Sequence, residues 1–235
     1  MNIDGHPTRR DWLSTALGSG AILVIDPSAA RAEEEQEVTA TEDLMREHGV
    51  IRRALLVYQE SAAKLRQNPA AIDPAALQQT AKLFREFGED YHEKKLEEAH
   101  IFPTVRKVAG PAAAYPDILV AQHNRGREIT SYILAVTSGA KLDQAKASEL
   151  AHVMEGIVRM YANHAAREDT IVFPAWKKTM SEQQLDEAGE QFEEIEHKQF
   201  GKDGFDDAEH RISRIEATLG LSDLAQFTPP APPRT

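Results

Sequence analysis

Apolar residues along most of the chain recur at intervals of three and four, a spacing that predicts α-helices. No segment after the first 38 residues shows the sustained alternation of apolar and polar positions that is typical of strands. The helical pattern covers four long segments, at about residues 39–67, 73–102, 116–138 and 143–173. Because short connections make neighbouring helices antiparallel, the sequence predicts an all-α fold built around an up-down four-helix bundle.

Local signals predict where these helices begin and end. The stretch Thr39 to Glu42 has the pattern of a capping box, and Asp73-Pro74 pairs an N-cap with a proline in the first helical turn. Asn68-Pro69 ends the first helix. Pro103 and Pro174 predict the ends of the second and fourth helices, because the residue before a proline avoids the helical region.

Two shorter helices are predicted beyond the bundle. Ser181 caps the first, which runs to about Phe200, and the second begins at Asp206 and ends at Gly220. The predicted organisation is a bundle over residues 39–175, a C-terminal helical extension over residues 176–225, and a proline-rich tail, expected to be disordered, over residues 226–235.

The first 32 residues have the features of an export signal. A polar start containing Arg9-Arg10 precedes a mildly apolar run at residues 15–25, and Ala30-Arg31-Ala32 gives a small-residue cleavage pattern. The arginine pair resembles a bacterial twin-arginine signal. The apolar run is too short to span a bilayer core of about 30 Å. We therefore expect an exported, periplasmic or otherwise extracytoplasmic protein without stable membrane insertion.

Charge and composition exclude several classes of function. The formal net charge of −11 argues against nucleic acid as a partner, because binding phosphates requires a basic surface. The chain contains no cysteine. This excludes disulfides, thiolate zinc sites, cysteine-ligated iron–sulfur clusters and cysteine nucleophiles.

Each of the four bundle helices carries one histidine on or beside its apolar stripe. In the first helix, for example, His48 falls between Leu44 and Ile51 at helical spacing. A single inward histidine is more often a satisfied core residue than a ligand. Four of them from four helices indicate a shared site. They are His48, His92, His123 and His164.

Two of these histidines belong to a motif that occurs twice. Residues 91–103 read YHEKKLEEAHIFP and residues 163–174 read NHAAREDTIVFP, each with a histidine, acidic residues and Phe-Pro. Burying carboxylates without a counter-charge costs several kcal/mol each. The apolar stripes contain no inward Lys or Arg that could compensate. A pair of metal ions is the simplest source of positive charge, and nitrogen and oxygen ligands without sulfur favour iron or manganese.

The two motifs differ in their spacing. His164 and Glu168 are four residues apart, which places them on one side of a helix, whereas His92 and Glu97 are five apart and about 140° out of register. A locally widened, π-type turn would bring Glu97 into place. Otherwise Glu98 or Glu93 is the ligand. With Glu97 preferred, the candidate metal ligands are His48, His92, Glu97, His123, His164 and Glu168.

These histidines and acidic motifs, each motif followed by Phe-Pro, resemble the hemerythrin-like (HHE cation-binding) family over roughly residues 40–175. The resemblance implies two non-haem iron ions, with the four histidines as ligands and Glu97 and Glu168 as bridges. Oxygen-carrying members have a second histidine in the third helix where this chain has Arg127. This difference favours a centre that binds or reacts with O2, NO or peroxide over simple oxygen carriage. The alternative is iron storage, buffering or sensing without turnover.

Other interpretations of the same residues compete with this one. A ferritin-like di-iron site would use Glu97-to-His100 and Glu194-to-His197, but it would leave three core histidines idle. A zinc protease motif starts at His92-Glu93, yet position 96 is Leu, so the second histidine is missing. A purely structural helical domain would have to explain two buried glutamates without a partner.

Several residues near the predicted site are left without an assigned role. His197 is a seventh ligand if the first post-bundle helix folds over the open end of the bundle, and otherwise it lies on the surface. His152 and His210 are expected on the surface. Tyr91 and Tyr161 flank the ligand motifs and are either hydrogen-bonding groups near the metals or ordinary core rings. The sequence does not identify catalytic residues or an electron donor.

Overall fold

The all-α prediction is confirmed. The computed structural model describes residues 38–139 and 141–233, and within these ranges the chain forms helices and no strand. The export signal predicted for residues 1–32 lies outside the described residues. None of the helices that the structure describes is both long and apolar enough to cross a membrane.

Six helices account for the fold of the residues that the structure describes. Two of them, α2 and α4, each consist of three consecutive stretches, the middle one being wound more widely than an α-helix. The helices are α1 (Ala40–Gln67), α2 (Pro74–Leu83, Phe84–Ile101 and Phe102–Val105), α3 (Tyr115–Val136), α4 (Gln144–Arg167, Glu168–Val172 and Phe173–Lys177), α5 (Glu182–Phe200) and α6 (Gly204–Leu219). Short 3₁₀ turns occupy Pro69–Ala71, Pro111–Ala114 and Leu224–Phe227.

The helices begin at the polar caps that the sequence indicates. The side chains of Thr39, Asp73 and Asp143 accept backbone N–H groups at the starts of α1, α2 and α4. Ser181 and Gln184 form a reciprocal capping box at the start of α5. These contacts satisfy N–H groups that have no partner inside the helix.

Both predicted proline stops are wrong. α2 continues past Pro103 to Val105, and α4 continues past Pro174 to Lys177. Each proline lies in the first turn of a new α-helical stretch that follows the widely wound one, where its missing N–H is not needed. The predicted start of α6 is also two residues late, because the helix begins at Gly204, with Asp203 as its N-cap residue.

Helices α1 to α4 enclose a continuous core, with α1 along α4 and α3 against α2 and α4. Large side chains from several helices are fully buried in it, including Tyr58, Phe84, Phe87 and Leu65. The remaining two helices form a pair on the outside of this bundle. α5 packs on α1 and α2, and α6 packs on the same two helices. We call α5 and α6 together the C-terminal pair.

Candidate metal centre

The four core histidines converge inside the bundle and form two pairs. Nε2 of His123 lies 3.1 Å from Nε2 of His164, and the rings of His48 and His92 have centroids 4.7 Å apart. All four residues are at most 3% exposed. The structure therefore brings the four predicted side chains together in one place.

Glu97 lies between the two pairs. One carboxylate oxygen, Oε1, is 3.3 Å from Nε2 of His92 and 4.0 Å from Nε2 of His48. The other, Oε2, is 3.3 Å from Nε2 of His123. The five-residue separation from His92 is bridged by the widened turns over Phe84–Ile101, in which the N–H of Phe102 bonds to the carbonyl of Glu97, five residues earlier.

Glu168 spans the same two pairs from α4. Its Oε1 lies 3.0 Å from Nε2 of His164, and its Oε2 lies 3.6 Å from Nε2 of His48. A second widened stretch begins at this residue, where the N–H of Phe173 bonds to the carbonyl of Glu168. Both helices that supply a carboxylate are therefore locally unwound at it.

The six side chains offer two sets of donor atoms. One set contains His48, His92, Glu97 Oε1 and Glu168 Oε2, and we call it subsite 1. The other contains His123, His164, Glu97 Oε2 and Glu168 Oε1, and we call it subsite 2. The ligand atoms of subsite 2 all lie within 4.8 Å of one another. Each glutamate contributes one oxygen to each subsite.

The donor set fits a pair of metal cations. In the part of the chain that the structure describes, none of the four oxygens of Glu97 and Glu168 accepts a hydrogen bond of acceptable geometry, and Nε2 of His92 has no partner either. Both glutamates are fully buried. Unpartnered buried carboxylates are costly, and cations between carboxylates and imidazoles would compensate them. Imidazole and carboxylate donors suit iron and manganese.

In the absence of metal, the charges of His92 and Glu97 stabilise each other. Burial lowers the pKa of His92, but the carboxylates of Glu97 and Glu47 outweigh it and raise that pKa well above its usual value. Burial raises the pKa of Glu97, but His92 and His123 outweigh it and hold that pKa well below its usual value. A proton on His92 therefore provides positive charge beside Glu97 when metal is absent, and that proton and a metal ion compete for the same nitrogen.

Each imidazole also donates its Nδ1–H to a residue on the neighbouring helix. This bond fixes the tautomer and turns the Nε2 lone pair toward the centre. Each acceptor is next in sequence to a candidate ligand of its own helix, so the four bonds close a ring around the bundle. The pairs are His92 with Glu47 (2.6 Å), His123 with Glu98 (2.9 Å), His164 with Gln122 (2.9 Å) and His48 with Asp169 (2.7 Å).

The other two candidate glutamates of α2, Glu93 and Glu98, have hydrogen-bond partners of their own. Glu93 accepts the hydroxyl of Tyr161 at 2.6 Å and a guanidinium N–H of Arg127 at 3.2 Å. Glu98 accepts from Arg127 at 2.6 Å as well as from His123. Of the three candidate carboxylates on α2, only Glu97 faces both histidine pairs. Arg127 occupies the position of the second third-helix histidine discussed above, and it binds these two carboxylates.

Tyr161 fits beside α3 because that helix has a glycine there. A Cβ atom on Gly126 would lie 2.1 Å from the hydroxyl oxygen of Tyr161. The tyrosine is 3% exposed and its ring lies 5.2 Å from that of His164. Burial and the nearby Glu93 raise the pKa of Tyr161 well above its usual value, so it acts as a neutral hydrogen-bond donor.

The remaining histidines of the described chain lie away from this centre. His152, His197 and His210 are exposed, and His100 is half-buried with its ring 5.7 Å from that of Phe192. His197 is exposed, so of its two alternatives the structure favours the surface position over a seventh ligand. The ferritin-like alternative fails for the same reason, since Glu194 is also exposed.

A helical bundle that holds two carboxylates between two pairs of imidazoles defines a class of metal-binding bundle proteins. The chain belongs to the hemerythrin HHE cation-binding domain family, whose model matches residues 39–176. It is 43% identical over 198 residues to the uncharacterized proteins Rv1995 of Mycobacterium tuberculosis and Mb2018 of Mycobacterium bovis. The match covers 84% of this chain and 76% of each relative. No solved structure gives a significant match.

Proposed function

We propose that the protein holds two non-haem iron ions inside the bundle formed by helices α1 to α4, and that this di-iron centre binds or reacts with O2, NO or peroxide. The observation that carries the proposal is the placement of Glu97 and Glu168. Each presents one oxygen to subsite 1 and the other to subsite 2. Among the described residues, no hydrogen bond to either carboxylate compensates its burial. Membership of a cation-binding family supports the metal, and the donor types support iron.

The protein would hold one ion in each subsite. Subsite 1 offers the imidazoles of His48 and His92, and subsite 2 offers those of His123 and His164. With one oxygen from each glutamate, either ion receives four donor atoms from the protein. Iron with nitrogen and oxygen ligands commonly takes more than four, so positions remain for an exogenous ligand. Bound iron would supply one-electron chemistry there.

The surrounding residues would orient the ligands and control the local charge. The ring of Nδ1 bonds fixes all four imidazoles before metal enters. Arg127 contributes a positive charge to the side of subsite 2 but is bound to Glu93 and Glu98. Oxygen carriers have a histidine at this position, whereas Arg127 binds two carboxylates here. This difference supports a reactive centre over reversible oxygen carriage.

We also propose that the protein works outside the cytoplasm. The support is the sequence alone, namely the Arg9-Arg10 pair, the apolar run at residues 15–25 and the small-residue pattern Ala30-Arg31-Ala32. Fractionation of cells that express the full chain, with and without replacement of Arg9 and Arg10 by lysine, tests this. Retention of only the variant in the cytoplasm is the expected result.

The test of function starts with iron content. The mature protein is reconstituted with Fe²⁺ without oxygen, and two iron ions per chain are expected. The loaded protein is then mixed with O2, NO or hydrogen peroxide in the presence of a reductant, and consumption of each is followed. Consumption over many turnovers supports the reactive centre, and two stably bound ions without consumption support storage or sensing. A protein that binds no iron contradicts both.

A further inference from the structure

The C-terminal pair lies wholly beyond the family-matched region, yet it touches the surroundings of the metal centre. The ring of Phe200, at the end of α5, meets the ring of Tyr91 edge to face, with centroids 5.2 Å apart and planes at 75°. Phe200 also lies 6.3 Å from Phe87, one turn earlier on α2. Such edge-to-face contacts restrict how an aromatic ring can turn.

Tyr91 connects this contact to a candidate metal ligand. Its hydroxyl donates to Oε1 of Glu47 at 2.9 Å, and Oε2 of the same carboxylate accepts the Nδ1–H of His92 at 2.6 Å. These three side chains are at most 1% exposed. Because both oxygens of Glu47 are engaged at once, a change in the direction of the Tyr91 hydroxyl would turn the carboxylate that orients His92.

The position of Phe200 is itself fixed by the turn between α5 and α6. Gly201 takes the left-handed conformation that ends α5, at φ 68°. A Cβ atom on Gly204 would lie 2.3 Å from the Phe200 ring, so only glycine lets α6 begin this close to it. Oε1 of Glu196 accepts the N–H of Phe205 at 2.7 Å and ties the two helices together.

Helix α6 is anchored to the bundle by charged contacts. Arg53 of α1 binds Glu216 at 2.5 Å and Glu209 at 2.8 Å, and Arg211 of α6 binds Glu86 of α2 at 2.8 Å. The carboxylates, with hydrogen bonding to Glu216 foremost, raise the pKa of Arg53 above its usual value. These pairs hold α6, which directly follows the turn after Phe200, against α1 and α2.

We propose that the C-terminal pair is a positioning element of subsite 1, acting through Phe200, Tyr91 and Glu47 on His92. The proposal rests on the proposed function, because it assigns these residues to a bound metal. Phe200 is a positioning residue and touches no metal. Removing its ring leaves Tyr91 space to turn, which weakens the bond between Glu47 and His92 and loosens the metal ion of subsite 1.

The test compares alanine substitutions at two phenylalanines of α5. Phe200→Ala removes the ring that meets Tyr91. Phe192→Ala is the matched control, because Phe192 is buried on α5 about two turns before Phe200 and packs against Trp176 and His100 instead of Tyr91. Tyr91→Phe keeps the ring and removes only the hydroxyl. Each full-length protein is loaded anaerobically with Fe²⁺, and release of iron to a ferrous chelator is followed in time.

Phe200→Ala and Tyr91→Phe are expected to speed the release of one of two ions by roughly tenfold, the lower end of the effect of losing a bond to a metal-bound histidine. Phe192→Ala should release iron at the wild-type rate even if it unfolds at a lower temperature. In the metal-free proteins, the downfield Nδ1–H resonance of His92 should weaken or shift in Phe200→Ala and Tyr91→Phe but not in Phe192→Ala. Phe200→Leu, which restores most of the volume, should recover much of the wild-type rate.

Three results overturn the inference. Equal release from wild type, Phe200→Ala and Phe192→Ala shows that the C-terminal pair does not act on the centre, while the di-iron proposal survives. Equal acceleration by both alanine variants shows a general loosening rather than positioning. A wild-type protein that binds no iron refutes the proposed function and this inference together, although an altered His92 resonance in Phe200→Ala would still show the structural coupling.

Discussion

The side-chain oxygen of Gln122 lies 2.9 Å from Nδ1 of His164, and it is the neutral member of the four acceptors that orient the imidazoles. The other three are carboxylates, those of Asp169, Glu47 and Glu98. A carboxylate acceptor makes a metal-bound imidazole a stronger donor than an amide does. The difference predicts that subsite 2 binds its ion more weakly than subsite 1.

Gln122→Glu should tighten metal binding in subsite 2. The new carboxylate would accept the same Nδ1–H and raise the basicity of His164, and we expect the affinity for the weaker ion to rise about tenfold. Competition between the protein and a chelator for Fe²⁺ measures both affinities. Gln191→Glu, on the exposed face of α5, adds the same charge far from the bond and should leave both affinities unchanged. Equal effects of the two variants would show that only net charge matters.

Glu168→Ala should abolish stable iron binding while the bundle stays folded. The substitution removes one oxygen from each subsite, and in the metal-free protein it also removes a buried carboxylate that lacks a well-formed hydrogen bond. Far-ultraviolet circular dichroism should therefore be unchanged, and the thermal midpoint without metal should not fall by more than a few degrees. Metal analysis after reconstitution measures the loss.

The control for this variant is Glu190→Ala, an exposed glutamate of α5 that should bind iron as the wild type does. Full iron occupancy in Glu168→Ala would remove Glu168 from the ligand set. Loss of iron together with loss of helix content would mean that the residue is needed for folding instead, and Glu168→Gln, which keeps the volume, would then separate the two effects.

The helical fold was accessible from sequence because its signals are local and periodic. The apolar stripes and the caps at Thr39, Asp73 and Asp143 depend on residues within one or two turns of each other. The proline stops failed because Pro103 and Pro174 follow widely wound turns, and no short-range rule reports where a helix restarts. The same widened turns bring Glu97 to face the histidines. Regular helical spacing alone could not decide between Glu97, Glu93 and Glu98 as the ligand.

The acceptors of the Nδ1 bonds were not found from sequence, although each is adjacent to a candidate ligand. Neighbouring residues on a helix point about 100° apart, so Glu47 serves the histidine of α2 and not His48 beside it. Which helix lies next to which, and at what rotation, follows from packing. From the sequence alone, Asp169 and Gln122 therefore cannot be distinguished from other polar residues, because their partners lie on neighbouring helices.

Gly126→Ala should destabilise the protein through Tyr161. The added methyl would lie 2.1 Å from the tyrosine hydroxyl and 3.0 Å from its ring, so the side chain must move and its bond to Glu93 is lost. We expect a loss of about 1–3 kcal/mol in the free energy of unfolding, measured by chemical denaturation.

Gly156→Ala is the matched control for that prediction. It lies in α4, where an added Cβ meets no atom within 4 Å, and it should stabilise the helix by about 0.5–1 kcal/mol. In the double variant Gly126→Ala with Tyr161→Phe, the closest clash is gone, so the two losses should not add. Additive losses would show that Gly126 acts by some route other than Tyr161.

The stability of the metal-free protein should depend on pH through Glu89. This residue is buried on α2, where it accepts the hydroxyl of Thr130 at 2.5 Å and faces Arg85 at 2.8 Å. Burial outweighs both neighbours and raises the pKa of Glu89 to about 7. The folded state therefore holds a proton that the unfolded state releases near pH 4.5, and this contribution to stability is lost as the pH rises from about 4.5 through 7.

Glu89→Gln should remove that dependence, because the amide stays neutral at every pH and can still accept the hydroxyl of Thr130. At pH 5 the variant and the wild type should be equally stable. At pH 8 the variant should be more stable by up to about 3 kcal/mol, at 1.36 kcal/mol for each unit of pKa shift. The attraction of Arg85 is already contained in the pKa of Glu89, so losing this pair does not reduce the gain further. Parallel stability curves of the two proteins between pH 5 and 8 would mean that Glu89 is already ionised in the folded protein, and that Arg85 rather than burial decides its charge.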